Sequence, residues 1–271
     1  MKQRKSILSR KSLQVCVVLM LASWTFVGCN YNHTHNESLV SPPDTTTQQG
    51  TQITDCQLLL SEEEIQRQGI ARQRSMYPAA SKRRLSDQAV RDGFSAATRD
   101  EAMREFNRAW RFNPENPMAY WGAAIVRGCD AMRYFNEDRS LSQICQDECI
   151  RLFEKGAFFL NNLPEDNRCE YRMDQTTAYL NYAQFLTESK DQAIALLEKA
   201  ETIILPYYNC HLFGDEGNRR VNVRVSWQLK EIYTLLSRTA DAQKYEDEFL
   251  KYATEQERKE FESPADGRWA E

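Results

Sequence analysis

Glycine and proline are scarce, at ten and eight among 271 residues, roughly half their usual combined share. So few chain breakers exclude a many-turned β architecture and favour long helices. Histidine is scarcer still. There are three, of which His33 and His35 share one polar stretch near the start, and only His211 remains for the rest of the chain. Neither a Gly-x-Ser-x-Gly elbow nor a phosphate-binding glycine loop is present, and with one histidine in the body of the chain no pattern points to a catalytic triad. Positive charge is not in excess: 35 basic residues face 39 acidic ones, for a net charge of -4. That balance gives no general attraction to nucleic acid or anionic lipid. Long apolar runs are missing beyond the first thirty residues, which excludes a multispanning membrane protein. What remains is material for one large helical body with a substantial core.

The first segment is an address. Lys2, Arg4, Lys5, Arg10 and Lys11 precede an almost wholly apolar run from Leu13 to Val27, the order of a signal peptide's charged and hydrophobic regions. About fifteen residues is short of the roughly twenty that span a bilayer as a helix, so the segment is expected to be cleaved. The run ends Phe26-Val27-Gly28-Cys29 and resembles the processing box of bacterial lipoproteins, with Phe26 where that box ordinarily has Leu. The resemblance implies that Cys29 becomes the lipidated N-terminus, held at the membrane through several acyl chains. Asn30, in place of the Asp that often retains such proteins at the inner membrane, implies an outer-membrane lipoprotein facing the periplasm. Removal of residues 1–28 takes five basic and no acidic groups, leaving 30 against 39, or -9. The mature chain is then clearly acidic. Residues 29–55 follow as a tether rich in Asn, Thr, Gln and Pro without apolar periodicity.

From residue 56 to 271 the pattern is helix after helix. Ser61 can cap a helix, with acids in its first turn and Glu64 three places on. Thr98 to Phe112 places Ala102, Phe106 and Ala109 on one face. Asn113-Pro114 stops that helix, and Pro117 restarts the pattern over Met118 to Arg127. Further helices are predicted over Leu141–Leu160, Asp174–Thr187, Lys190–Ile204, Asn222–Ser237 and Ala240–Ala253. Val221, Val223 and Val225 alternate as in a strand, but one short run does not outweigh the helical pattern around it.

The stretch Asp100 to Gly122, DEAMREFNRAWRFNPENPMAYWG, resembles the junction between two tetratricopeptide repeats. Ala102, Phe106 and Ala109 correspond to the small, aromatic, small signature of a second helix, Pro114 to the terminating proline, and Tyr120 to the aromatic that opens the next repeat. Tyr179, Tyr182 and Ala183, then Ala193, Leu197 and Ala200, repeat the scheme downstream. Leu229, Tyr233 and Ala242 keep its spacing, while Cys149, Phe153 and Gly156 match in part. The resemblance is tight over Asp100–Gly122 and loose over Arg84–Ala253. It implies an all-α fold, an α-α superhelix of three to four irregular helical hairpins.

Such a superhelix implies a partner laid on the surface of its first helices. Residues one turn apart there, Met118, Trp121 and Ile125, then Gln175, Tyr182 and Arg224, are candidate contacts to a protein or peptide of the cell envelope. The apolar ones suit the core between repeats better than an open surface. No cofactor is expected. Six cysteines remain after Cys16 and Cys29, namely Cys56, Cys129, Cys145, Cys149, Cys169 and Cys210, an even number that suits disulfides in an exported protein. Cys145 and Cys149 lie one turn apart, where a direct bridge is strained, so each is expected to bond a neighbouring segment. Zinc held by Cys145, Cys149, Cys210 and His211, or free buried thiols, are the rival readings. The function expected is a non-enzymatic, membrane-anchored docking scaffold. A carboxylate-based cell-wall hydrolase or accessory factor, or a thiol redox or metal module, stands as the alternative. Cys29→Ala should abolish metabolic acyl labelling and release the protein from membranes; unchanged labelling would contradict the anchor.

Overall fold

The computed structural model describes residues 78–186, 189–209 and 211–262. The expected helix at Ser61, and Cys29, Cys56 and Cys210, lie outside them. Nine α-helices and two short 3-10 turns account for most of the described chain, with no strand among the described residues. The fold is all-α.

Local chemistry sets most of the helix ends. Helix α1 (Ala79–Phe94) follows Pro78. Helix α2 (Arg99–Phe112) begins with a reciprocal capping box in which Thr98 accepts from the Glu101 N–H and Glu101 accepts from the Thr98 N–H. Helix α3 (Pro117–Tyr134) has proline in its first turn, and Asn116 accepts from the Met118 N–H at 3.0 Å. Asp138 caps α4 (Arg139–Ala157) through the Leu141 N–H. Helix α5 (Glu165–Phe185) opens after Pro164 with Glu165 and Asp166 at its positive end. It starts nine residues before the expected Asp174. Helices α6 (Lys190–Ile204), α7 (Asp215–Leu235), α8 (Thr239–Tyr252) and α9 (Glu255–Glu262) complete the order. Val221, Val223 and Val225 lie within α7 and are helical.

These helices pair as hairpins, α1 with α2, α3 with α4, α5 with α6 and α7 with α8. The hairpins stack in chain order, so that the first helices α1, α3, α5 and α7 also touch one another in sequence. One contiguous apolar core runs through all four hairpins. A smaller cluster of Val223, Trp227, Phe249, Ala253 and Phe261 seats α9 against the last hairpin. Arg219 ties that end down, donating to Glu216, to Glu257 and to the Tyr252 carbonyl.

Close approach of helices explains where small residues fall. Phe106 of α2 is 1 % exposed and lies against the α3 backbone at Gly122, where an added Cβ would stand 2.1 Å from its Cε1. The same ring closes on Gly93 of α1 and meets Phe94 edge-on at 5.0 Å. One aromatic thus occupies the gap between three helices, and burying it contributes roughly 1.5–3 kcal/mol. Gly156 of α4 admits Tyr171 of α5 in a similar way, and the Tyr171 hydroxyl donates to the Phe153 carbonyl at 2.6 Å. No helix among the described residues is long and apolar enough to cross a membrane.

Gly122→Ala should overpack this gap, because the aromatic ring has no flexible end to move aside. The expected loss is about 1–3 kcal/mol, a fall in Tm on the order of 5 °C for a domain of this size. Combining it with Phe106→Leu should cost less than the sum of the single changes in thermal unfolding, since the two residues share one space.

Candidate functional site

Helix α5 is buried over 14 of its 21 residues, yet Asp174, Gln175, Thr176, Thr177, Asn181 and Gln184 are among them. Buried polar groups need partners. Thr176 and Thr177 use the carbonyls one turn back, Arg172 at 2.8 Å and Met173 at 3.1 Å. Gln175 accepts from Arg172 at 2.7 Å and donates to the Tyr179 hydroxyl at 3.3 Å. Asp174 draws on two other helices. The indole N–H of Trp121 on α3 donates to its Oδ2 at 2.8 Å, and Arg224 on α7 donates to its Oδ1. Its carboxylate therefore joins three consecutive first helices. Gln228 of α7 adds bonds to the Met173 carbonyl at 2.7 Å and to Thr177 Oγ1 at 2.8 Å.

Glu170, Asp174, Thr177, Asn181 and Gln184 recur at intervals of four, three, four and three, and so share one face of α5. Two of them have no hydrogen-bond partner within the stack, and of these only Asn181 has polar atoms sealed from solvent. Half-buried Glu170 has no hydrogen-bond or ion-pair partner among the described residues. Burial first, and then the negative charge of Asp174, hold its carboxyl above the ordinary value of 4.5, against a smaller opposing effect of Arg224. Asn181 is 7 % exposed, and both polar atoms of its carboxamide are sealed from solvent without a partner. Each unmet buried group costs about 1–3 kcal/mol.

The expected contact residues divide over this arrangement. Arg224 stands on the shared face beside Asp174. Trp121 and Ile125 are 2 % and 4 % exposed and lie in the core between repeats, the other place open to apolar residues at this spacing, and not on an open groove. The reason is that α3 is buried on nearly every side, so a one-turn spacing along it selects contacts to neighbouring helices. Gln175 is likewise buried and bonded within its own helix. Met118 is half-buried against the main core. Tyr182 is half-buried and donates to Asp147 of α4; burial and that carboxylate push its hydroxyl up to about 12. The structure brings Trp121 and Arg224 together through Asp174 and directs Gln175 and Tyr182 to other partners.

Asp174, Glu170 and Asn181 escaped the sequence reading. The missed signal was Leu163-Pro164 followed by Glu165 and Asp166, a helix start that places Asp174 in mid-helix and in register with Asn181.

Among the cysteines, Cys129 and Cys149 are unbonded thiols, so neither forms the disulfide expected of it. Packing explains this: Cys149 is a residue of the continuous core, fully enclosed there. Burial pushes the Cys129 thiol up to about 11 and that of Cys149 further still. Cys145 and Cys169 are buried in α4 and α5. No three His, Cys, Asp or Glu side chains converge as metal ligands among the described residues. No protein-family model, curated protein or solved structure matches the chain.

Two outcomes follow for stability. Asp174→Asn should leave the Arg224 charge buried without its counter-ion and cost about 3–5 kcal/mol in denaturant unfolding, with the Asp174→Asn, Arg224→Met pair recovering part of the loss. Glu170 acts in the opposite sense. Its folded carboxyl binds a proton more tightly than the unfolded one, so its favourable contribution is complete below pH 4.5 and is lost as pH rises through the folded value. Glu170→Gln should therefore raise Tm at pH 7, with the gain vanishing near pH 4.

Proposed function

We propose that the protein is a membrane-anchored scaffold of the bacterial envelope, similar to tetratricopeptide-repeat proteins, that docks a protein or peptide on the face shared by its first helices. The observation that carries this reading is the side-by-side stacking of α1, α3, α5 and α7. Stacked hairpins of this kind create an extended surface along one side of the array. The N-terminal segment supports lipid attachment at Cys29 and a periplasmic address. The tether of residues 29–55 then lets the helical body stand off the bilayer.

A scaffold also accounts better than an enzyme for the chemistry on that face. Glu170 and Asp174 project from one helix a turn apart, and Asp174 is committed to Trp121 and Arg224. A pair of carboxylates working on a glycan stands on opposite sides of the bond it cleaves. Thiols raised by burial, as at Cys129 and Cys149, are held in their unreactive form.

Site-specific photo-crosslinking in intact cells tests the reading. A crosslinker at position 170 should give an adduct of defined mass. The same group at Glu198, exposed on the second helix α6, should give none. Equal adducts from both positions, or none from either, would contradict docking on the first-helix face.

A further inference from the structure

Most of the large hydrophobic side chains that the helical body leaves open to solvent share one edge of the array, and the chain enters the body at that same edge. We infer that this edge is a membrane contact, resting on the interfacial layer of a lipid bilayer through Phe158, Leu205, Leu212 and Leu250. The step rests on the lipid attachment at Cys29 read above.

Topology gathers these residues. The two helices of each hairpin are joined by a short turn and pack against each other, so they run antiparallel and the array has two edges. One edge holds the turns within hairpins. The other holds the connections between hairpins, residues 113–116, 158–164 and 205–214, together with the start of α1 and the end of α8. Among the described residues five large hydrophobic side chains are exposed. Phe158, at 82 %, stands in the second connection; Leu205 and Leu212, at 42 % and 37 %, stand in the third; Leu250, at 38 %, lies in the last turn of α8. The fifth, Ile144, is on the body of α4. None lies in a turn within a hairpin. Single apolar residues scattered over a surface call for no explanation, but four gathered on one edge do.

The connections on this edge are also joined to their neighbours. Asn162 donates to the Glu115 carbonyl at 3.4 Å, linking the first two. Tyr208 of the third meets Tyr245 of α8 edge-on at 5.2 Å. Tyr207 and Tyr208 are half-buried, and tyrosine, with an apolar ring and a polar tip, suits the headgroup level.

The path of the chain says what covers the edge. Helix α1 begins there, directly after Pro78, and only 48 residues separate Pro78 from Cys29. With lipid on Cys29, that length confines this edge to the neighbourhood of the bilayer and raises its effective concentration there. The tether allows the body to stand off, and the edge draws it back. The mature chain's charge of -9 by residue count gives no attraction to anionic headgroups, so apolar burial carries the contact and neutral lipid suffices. No helix among the described residues is long and apolar enough to cross a membrane; the body lies on the surface.

The test uses the full lipidated chain in phosphatidylcholine vesicles, with a fluorescent amino acid at position 158 or at Asn136, which is exposed in the turn between α3 and α4. When the acyl chains carry bromine as a quencher, the probe at 158 should be quenched and that at 136 should not. Leu205→Ser with Leu212→Ser should lower the ratio of quenched to unquenched probe at 158 about tenfold. Both leucines lie outside the core clusters, so thermal unfolding of this variant should match wild type. Vesicle flotation of the same samples separates the two readings. Flotation without quenching at 158, or with equal quenching at 136, would overturn the inference and leave the anchor in place. An emission shift at 158 that grows with protein density and is untouched by bromine would assign the edge to a second copy of the chain and overturn it as well. Failure of the wild type to float would overturn both.

Discussion

The carboxylate of Asp174 is the point on which three of the four hairpins agree. It accepts from the Trp121 indole on one side and from Arg224 on the other while being itself almost wholly buried. Apolar burial brings helices together without fixing their roll about their own axes. Two directional bonds to one side chain do fix it. The roll of α5 sets the rest of its polar face, because Glu170, Thr177, Asn181 and Gln184 are in register with Asp174. If that carboxylate turned toward solvent, Glu170 and Asn181 would turn with it.

The groups on this face do not contribute equally to stability. Asp174 and Thr177 are compensated within the stack and serve the fold. Glu170 and Asn181 are not, and their presence lowers the stability of a structure otherwise well packed around Phe106, Tyr171 and Trp121. The remainder of the molecule bears that loss. Reciprocal caps at Thr98 and Glu101, and again at Thr254 and Glu257, secure helix starts. The network of Arg219 with Glu216 and Glu257 closes the far end. Stack ends are where repeat arrays fray, since each unit is supported only by its neighbours.

Much of the architecture was legible in the residues. The α2–α3 junction carries a cap, acids in the first turn, a terminating Asn-Pro and a restarting proline, and α6 has the bounds its periodicity predicts. Helices α5 and α7 were harder. Each begins without a side-chain cap, after Pro164 and Gly214 respectively. Each is also buried on several sides, so neither shows the solvent-facing polar stripe from which amphipathic periodicity is read. With its start misplaced, α5 lost Glu170 and its seam. Trp121 and Arg224 were picked out by spacing alone, and spacing cannot tell a surface facing a partner from one facing the next helix. What joins them is an aspartate fifty residues from one and fifty-three from the other, a relation that local pattern does not encode.

Hydrogen exchange at the indole N–H of Trp121, followed by NMR with the tryptophans labelled, tests the central claim most directly. Bonded to Asp174 inside the stack, that proton should exchange only through global unfolding, at a rate that tracks the stability of the whole domain. Exchange as fast as an exposed indole's, under conditions where the core amides of α3 and α5 remain protected, would show that the bridge between hairpins is not made.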